Sequence, residues 1–123
     1  MADVVTTVGK NAVAEKIGGV AVVADFTYLA LGSDGTTAST ADTQLGTELT
    51  DSGLARAAAT VSTDAANVLQ LVEIWTASAS KTIKECGVLN SSSAGVLLAR
   101  SDFNDINVDS DDSIQITYKV TVS

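Results

Sequence analysis

The sequence predicts a mainly β protein, an antiparallel β-sandwich of jelly-roll-like kind with one or two short helices. Three observations carry this. Residues 114–122 alternate strictly, with Ile114, Ile116, Tyr118, Val120 and Val122 apolar and Gln115, Thr117, Lys119 and Thr121 polar. That is the period-two pattern of a strand with one core face and one wet face. The apolar fraction of 46% comes largely from alanine and valine, and the aromatic residues are few (Trp 1, Tyr 2, Phe 2); small and β-branched chains suit a sheet. Clusters of Gly, Asn, Asp and Ser cut the chain into short apolar runs at the spacing of a sandwich. There is no proline, so these clusters do all the punctuation.

The elements follow in order. Over residues 3–17, Val5, Val8, Ala12 and Ile17 recur at loosely helical spacing, and Gly18-Gly19 supplies a stop. The β-branched run Val4-Val5-Thr6-Thr7-Val8 leaves an extended arm as the alternative. Residues 1–25 are thus expected to form an N-terminal helix or arm ahead of a sandwich over 26–123. Phe26 to Leu31 reads as a strand buried on both faces. Ser33-Asp34-Gly35 is turn chemistry, with Gly35 free to take positive φ. Ser39 or Thr40 is placed to cap a short helix with Leu45 and Leu49 on one stripe, closed by Asp51-Ser52-Gly53. Ala55 to Ser62 is a strand and Thr63 to Asn67 a turn. Val68 to Thr76 is a stronger strand whose blurred alternation predicts burial on both faces. Ile83 to Leu89 and Val96 to Phe103 form a hairpin around the loop 90–95.

Composition bounds the function. The chain's 123 residues make one domain. With no histidine, the usual general base and the commonest zinc ligand are missing. One cysteine, Cys86, rules out an intrachain disulfide and reads as a small buried hydrophobe. A net charge of −8, with seven scattered basic residues, argues against nucleic acid as a partner. No apolar run approaches the ~18 residues of a membrane span. No basic, apolar leader opens the chain, so no membrane partner is expected.

Few groups suggest chemistry. Asp102, Asn104, Asp105, Asn107, Asp109, Asp111 and Asp112 put oxygen ligands at alternate positions, which allows either a solvated turn or a Ca²⁺ loop. Asn107 and Ser113 stand where an EF-hand loop needs glycine and glutamate. The glutamates Glu15, Glu48, Glu73 and Glu85 fall on different elements, and the sequence implies no pairing of them for acid–base work. The glycines Gly32 and Gly35 lack the lysine and spacing of a phosphate loop. Arg56 and Arg100, the two arginines, have two roles open: ion pairs within the fold, or anchors facing a partner.

Three blocks carry a resemblance: residues 26–49; Thr82 to Asn90 with Ala94 to Arg100; and Ile114 to Val122. Together they resemble small domains in virion structural proteins of tailed bacteriophages, from head decoration to tail and fibre parts. The resemblance implies a scaffold with no catalytic residue and no cofactor. A stand-alone domain without a fibre shaft implies a capsid decoration (cement) protein. Such a protein sits on the outer surface of the phage head after assembly in the host cytoplasm. Its partners are the major capsid protein and copies of itself, as homotrimer or homodimer. A tail, baseplate or fibre-adaptor protein is the alternative, and a sugar-binding or Ca²⁺-dependent adhesion module using the loop at 102–112 is a third. Val5, Val8, Lys10, Arg56 and Arg100 are the residues expected to bind the capsid or another partner.

Overall fold

A computed structural model describes residues 2–122. It is mainly β, with two antiparallel sheets and one helix. The elements are β1 (Ala2–Val5), α1 (Thr7–Gly18), β2 (Tyr28–Gly32), β3 (Ala57–Ala58), β4 (Thr60–Ala65), β5 (Val68–Thr76), β6 (Lys81–Leu89), β7 (Leu97–Val108) and β8 (Ser113–Thr121). One sheet has the order β1-β7-β6-β2-β3, the other β4-β5-β8. The two share a core. Leu29, Leu31, Cys86, Val88 and Ala99 from the first sheet pack with Leu71, Trp75, Ile114, Tyr118 and Val120 from the second. This is a sandwich-like arrangement; the strand orders do not establish its jelly-roll form.

The N-terminal segment uses both expected conformations, on different residues. β1 pairs with β7 from Ala2↔Asp102 to Val5↔Ala99, so it belongs to the sandwich and is not an arm ahead of it. Thr6 then caps the helix, its hydroxyl accepting the Gly9 N–H at 2.9 Å. Gly19, at φ 64°, ends the helix with its N–H directed to Lys16 O, and Val20 N–H reaches Glu15 O at 3.1 Å. The helix lies tight on β7. A Cβ at Gly9 would meet Leu98 O at 2.6 Å and Leu98 Cα at 2.7 Å. Gly→Ala inside a helix ordinarily stabilises by up to about 1 kcal/mol. Here Gly9→Ala is expected to destabilise by about 1–3 kcal/mol, because backbone cannot give way as a side-chain tip can. Urea unfolding of the variant checks the sign.

Several expectations need correction. Residues 39–50 form no helix: Leu45 and Leu49 are buried, but in an irregular segment with one bridge, Gly32↔Glu48. Gly35 does not take positive φ; Asp34 Oδ1 makes the turn, accepting from the Thr36 N–H at 2.8 Å and hydroxyl at 2.7 Å. The strand expected over 55–62 is split between β3 in one sheet and β4 in the other. β5 has one buried face: Leu71 and Trp75 are buried while Ile74 is 58% exposed. Val122 lies past the end of β8 and is 67% exposed. β7 runs to Val108, so Asp102, Asn104, Asp105 and Asn107 stand on alternate faces of a strand and not in a loop. Only residues 109–112 form the turn.

Candidate functional site: a clasped outer layer

The face of the five-stranded sheet turned away from the core carries small residues and charges, with Tyr28, Leu89 and Leu97 at one end. Register places Ala30, Gly87 and Arg100 in one row across β2, β6 and β7, and Gly32, Glu85 and Asp102 in the next. The segment 33–49 lies over these rows as a third layer. Leu45 packs with Ala30, Leu89 and Leu97. Added Cβ atoms show why small residues stand there. One at Gly87 would meet Leu45 Cδ2 at 2.8 Å, and one at Gly32 would run into the Glu85 carboxylate. This cover explains why β2 and β6 are buried on both faces, as the first strand was expected to be.

An ion pair fastens the layer. Glu85 is fully buried. Its carboxylate accepts from the backbone N–H of Asp34 (3.0 Å), Gly46 (2.9 Å) and Thr47 (2.9 Å), and from Arg100 Nε (2.8 Å). The other guanidinium nitrogens of Arg100 donate to Asp42 Oδ2 (3.1 Å), Asp34 O (3.2 Å) and Thr36 O (2.9 Å). Asp102 Oδ1 accepts the Ala38 N–H at 2.8 Å. A loop without regular structure has backbone groups to satisfy, and here charged side chains of β6 and β7 satisfy them. Burial works against the charge on Arg100. The hydrogen bonds and charges of Glu85 and Asp42 outweigh it and raise its pKa. The hydroxyl and then the amide of Thr36 hold the Asp34 carboxyl below its usual range.

A second clasp adjoins the first. Arg56 meets Glu48 through two bonds, Nε to Oε2 at 2.9 Å and an η nitrogen to Oε1 at 2.6 Å. Its other η nitrogen donates to Ser91 O (2.9 Å) and Ala94 O (2.8 Å), so the loop 90–95 is tied to the same layer. The fully exposed side chains of the layer are mostly hydroxyls, those of Thr36, Thr37, Ser39, Thr40, Thr43 and Thr47, while Asp34, Asp42 and Glu48 are half-buried.

Of the residues expected to contact a partner, Arg56 and Arg100 therefore take the internal of their two roles. Arg100 is 2% exposed and offers nothing to a partner directly. Val5 and Lys10 come together on a groove of about 680 Å³ between α1, β1 and the end of β8, lined also by Val13, Phe26, Leu69 and Val120. Val8 lies apart, on a neighbouring depression with Asn11, Val22 and Val23. In the sequence Glu85 stands as one of four glutamates without a visible partner and Asp102 as one of a run of oxygen ligands, whereas the structure sets both, with Asp42, in the clasp. The signal for Glu85 and Arg100 was the hairpin itself, whose register puts both on one face.

Two aspartates of the turn are engaged locally: Asp109 accepts from the Ser80 hydroxyl at 2.8 Å and Asp112 from the Asp109 N–H at 2.8 Å. Among the described residues, no group of three or more His, Cys, Asp or Glu side chains is placed to hold a metal ion, and no helix is long and apolar enough to cross a membrane. On the core side, the hydroxyls of Tyr118 and Ser101 lie 2.9 Å apart, at 2.9 Å and 2.8 Å from Asp3 Oδ1. Burial, above all, pushes the Tyr118 pKa up.

Cys86 is 4% exposed. Burial, with the charges of Asp3 and Glu85 adding to it, pushes its thiol from 9.0 up to about 12. The folded state thus keeps a proton that the unfolded state loses. This thiol's contribution to stability is complete below pH 9 and is lost between pH 9 and about 12. The thiol is expected to stay inert to an aromatic disulfide reagent in native buffer and to react fully in denaturant.

Comparison with protein-family profiles, with curated proteins and with solved structures found no match.

Proposed function

We propose that this chain is a non-enzymatic structural protein of a tailed-phage virion, a head-decoration (cement) protein that binds and stabilises the outer surface of the shell. One observation carries the reading. Among the residues that give the sequence its likeness to such domains, the charged and glycine positions of two blocks form the clasp: Gly32, Asp42, Gly46 and Glu48 in the first, Glu85, Gly87 and Arg100 in the second. Their charged groups hold a loop layer in place and are thereby engaged. The product of that arrangement is a stiff, hydroxyl-rich face on an acidic protein, which suits contact with another surface better than turnover of a substrate.

The major capsid protein and further copies of this chain are its partners in this reading. Val5 and Lys10 on the groove, and Val8 beside it, are the direct contacts on the N-terminal side. Arg56 and Arg100 act by shaping the loops. The net charge of −8 favours a positively charged docking surface and disfavours nucleic acid.

The test is loss and restoration. Heads stripped of the protein should rupture at lower temperature than complete heads, and adding back the purified chain should restore them. Heads that lose nothing on stripping, with the protein found on tails, would assign it to the tail, baseplate or fibre adaptor.

A further inference from the structure

Sheet edges expose unpaired backbone groups, and folded chains blunt them with short strands, charges or bulges. The two sheets have four edges: β1 and β3 in one, β4 and β8 in the other. β1 has 4 residues and β3 has 2. β4 breaks register between Thr63 and Ala65, with Asp64 at the break. β8 has none of these devices. It pairs with β5 without interruption from Ser113 to Thr121, and no other described strand pairs with its outer side. Its one charge is drawn off the edge: Lys119 Nζ lies 3.1 Å from Asp64 Oδ2, on the far side of β5.

The direction of the free groups follows from the strand's two ends. Val122 N–H donates to Asn67 O at 2.9 Å, and Asp112 O accepts from Ala77 N–H at 2.8 Å. Both pairs continue the β5–β8 register, so the even-numbered residues direct their backbone groups at β5. Alternation in an antiparallel ladder then turns the N–H and C=O of Ser113, Gln115, Thr117, Lys119 and Thr121 outward.

We propose that a second copy of this chain pairs on this edge, β8 antiparallel to β8, about a twofold axis at Thr117. Thr117 then faces Thr117 of the partner subunit, Gln115 faces Lys119 of the partner subunit, and Ser113 faces Thr121 of the partner subunit. Each such pair joins two residues whose backbone groups point outward, so each exchanges two hydrogen bonds. This register overlaps the whole strand, and it sets no charge against its like. Slipping the axis to Lys119 would oppose two lysines, which is destabilising. The half-buried Ile116 gains a neighbour in Tyr118 of the partner subunit. The product is one continuous six-stranded sheet with closed symmetry, which leaves only the bulged β4 edges open. The proposal gives the self-association in the functional reading a surface, but it does not need the virion assignment. It is tested on the purified protein, whereas head binding is measured separately.

Sedimentation equilibrium of the wild-type chain and of Thr117→Pro tests it. Proline at 117 removes an outward N–H and leaves the bonds to β5 in place. The wild type should sediment as a dimer. The variant should sediment as a monomer over the same concentrations, with unchanged circular dichroism. A wild-type chain that stays monomeric, a trimer, or a dimer that survives Thr117→Pro overturns the proposal. If proline unfolds the chain, Thr117→Cys decides. A short thiol crosslinker should join two chains through position 117, because Cys86 is buried. Failure to crosslink there, or crosslinking through Ser62→Cys on β4 in its place, also overturns it. A β8 edge protected from hydrogen exchange only when capsid protein is added would assign the edge to a capsid strand and overturn the dimer.

Discussion

Glu85→Ala is expected to cost about 3–5 kcal/mol, the loss typical of removing one member of a buried ion pair. The variant leaves Arg100 buried without its closest carboxylate. It also strands the N–H groups of Asp34, Gly46 and Thr47, each of which donates to Glu85 in the native fold. Since whole domains are stable by only about 5–15 kcal/mol, the melting midpoint should fall by more than about 10 °C. Glu85→Gln should do nearly as badly, because its amide end presents donors to donors. Hydrogen exchange gives the local readout. The three amides should be slow in the native protein and fast in either variant. A loss of under about 1 kcal/mol, with the amides still slow, would mean that the segment 33–49 is held by something other than this clasp.

Leu71→Ala should cost about 2–5 kcal/mol, since Leu71 is fully buried at the centre of β5 between both sheets. Ile74→Ala, three residues along the same strand, should cost about 0.5 kcal/mol or less, because Ile74 is 58% exposed. Sequence pattern alone places apolar residues on both sides of β5. The paired measurement, by thermal or urea unfolding, asks which side is core. Equal losses would contradict the one-sided sheet described above.

The strands were legible where local pattern and tertiary demand agree. β8 alternates because its outer face is wet, and the limits of β5, Val68 to Thr76, coincide with its apolar run. The hairpin β6–β7 follows from two apolar runs around a loop of small polar residues. The segment 33–49 was not legible in the same way. Its leucines at i, i+4 match one helical stripe, but its backbone is satisfied by Glu85, Arg100 and Asp102, which lie 38–66 residues away along the chain. No local propensity reports such partners. The arginines show the same limit. Arg56 and Arg100 on strands look equally like anchors or internal ion pairs until register sets Glu85 and Arg100 on one face and brings Glu48 to Arg56. Residues 2–18 mislead for a further reason: strand, cap and helix follow one another within a few residues, so a single periodicity cannot describe them.

In the function proposed here, this acidic sandwich works as a contact surface on the outside of a phage head. Cryo-electron microscopy of virions whose genome encodes this chain tests it most directly. Density fitting the five- and three-stranded sheets is expected on the outer capsid surface, repeated at its symmetry positions. Particles whose heads lack that density, with the protein absent or confined to the tail, would contradict it.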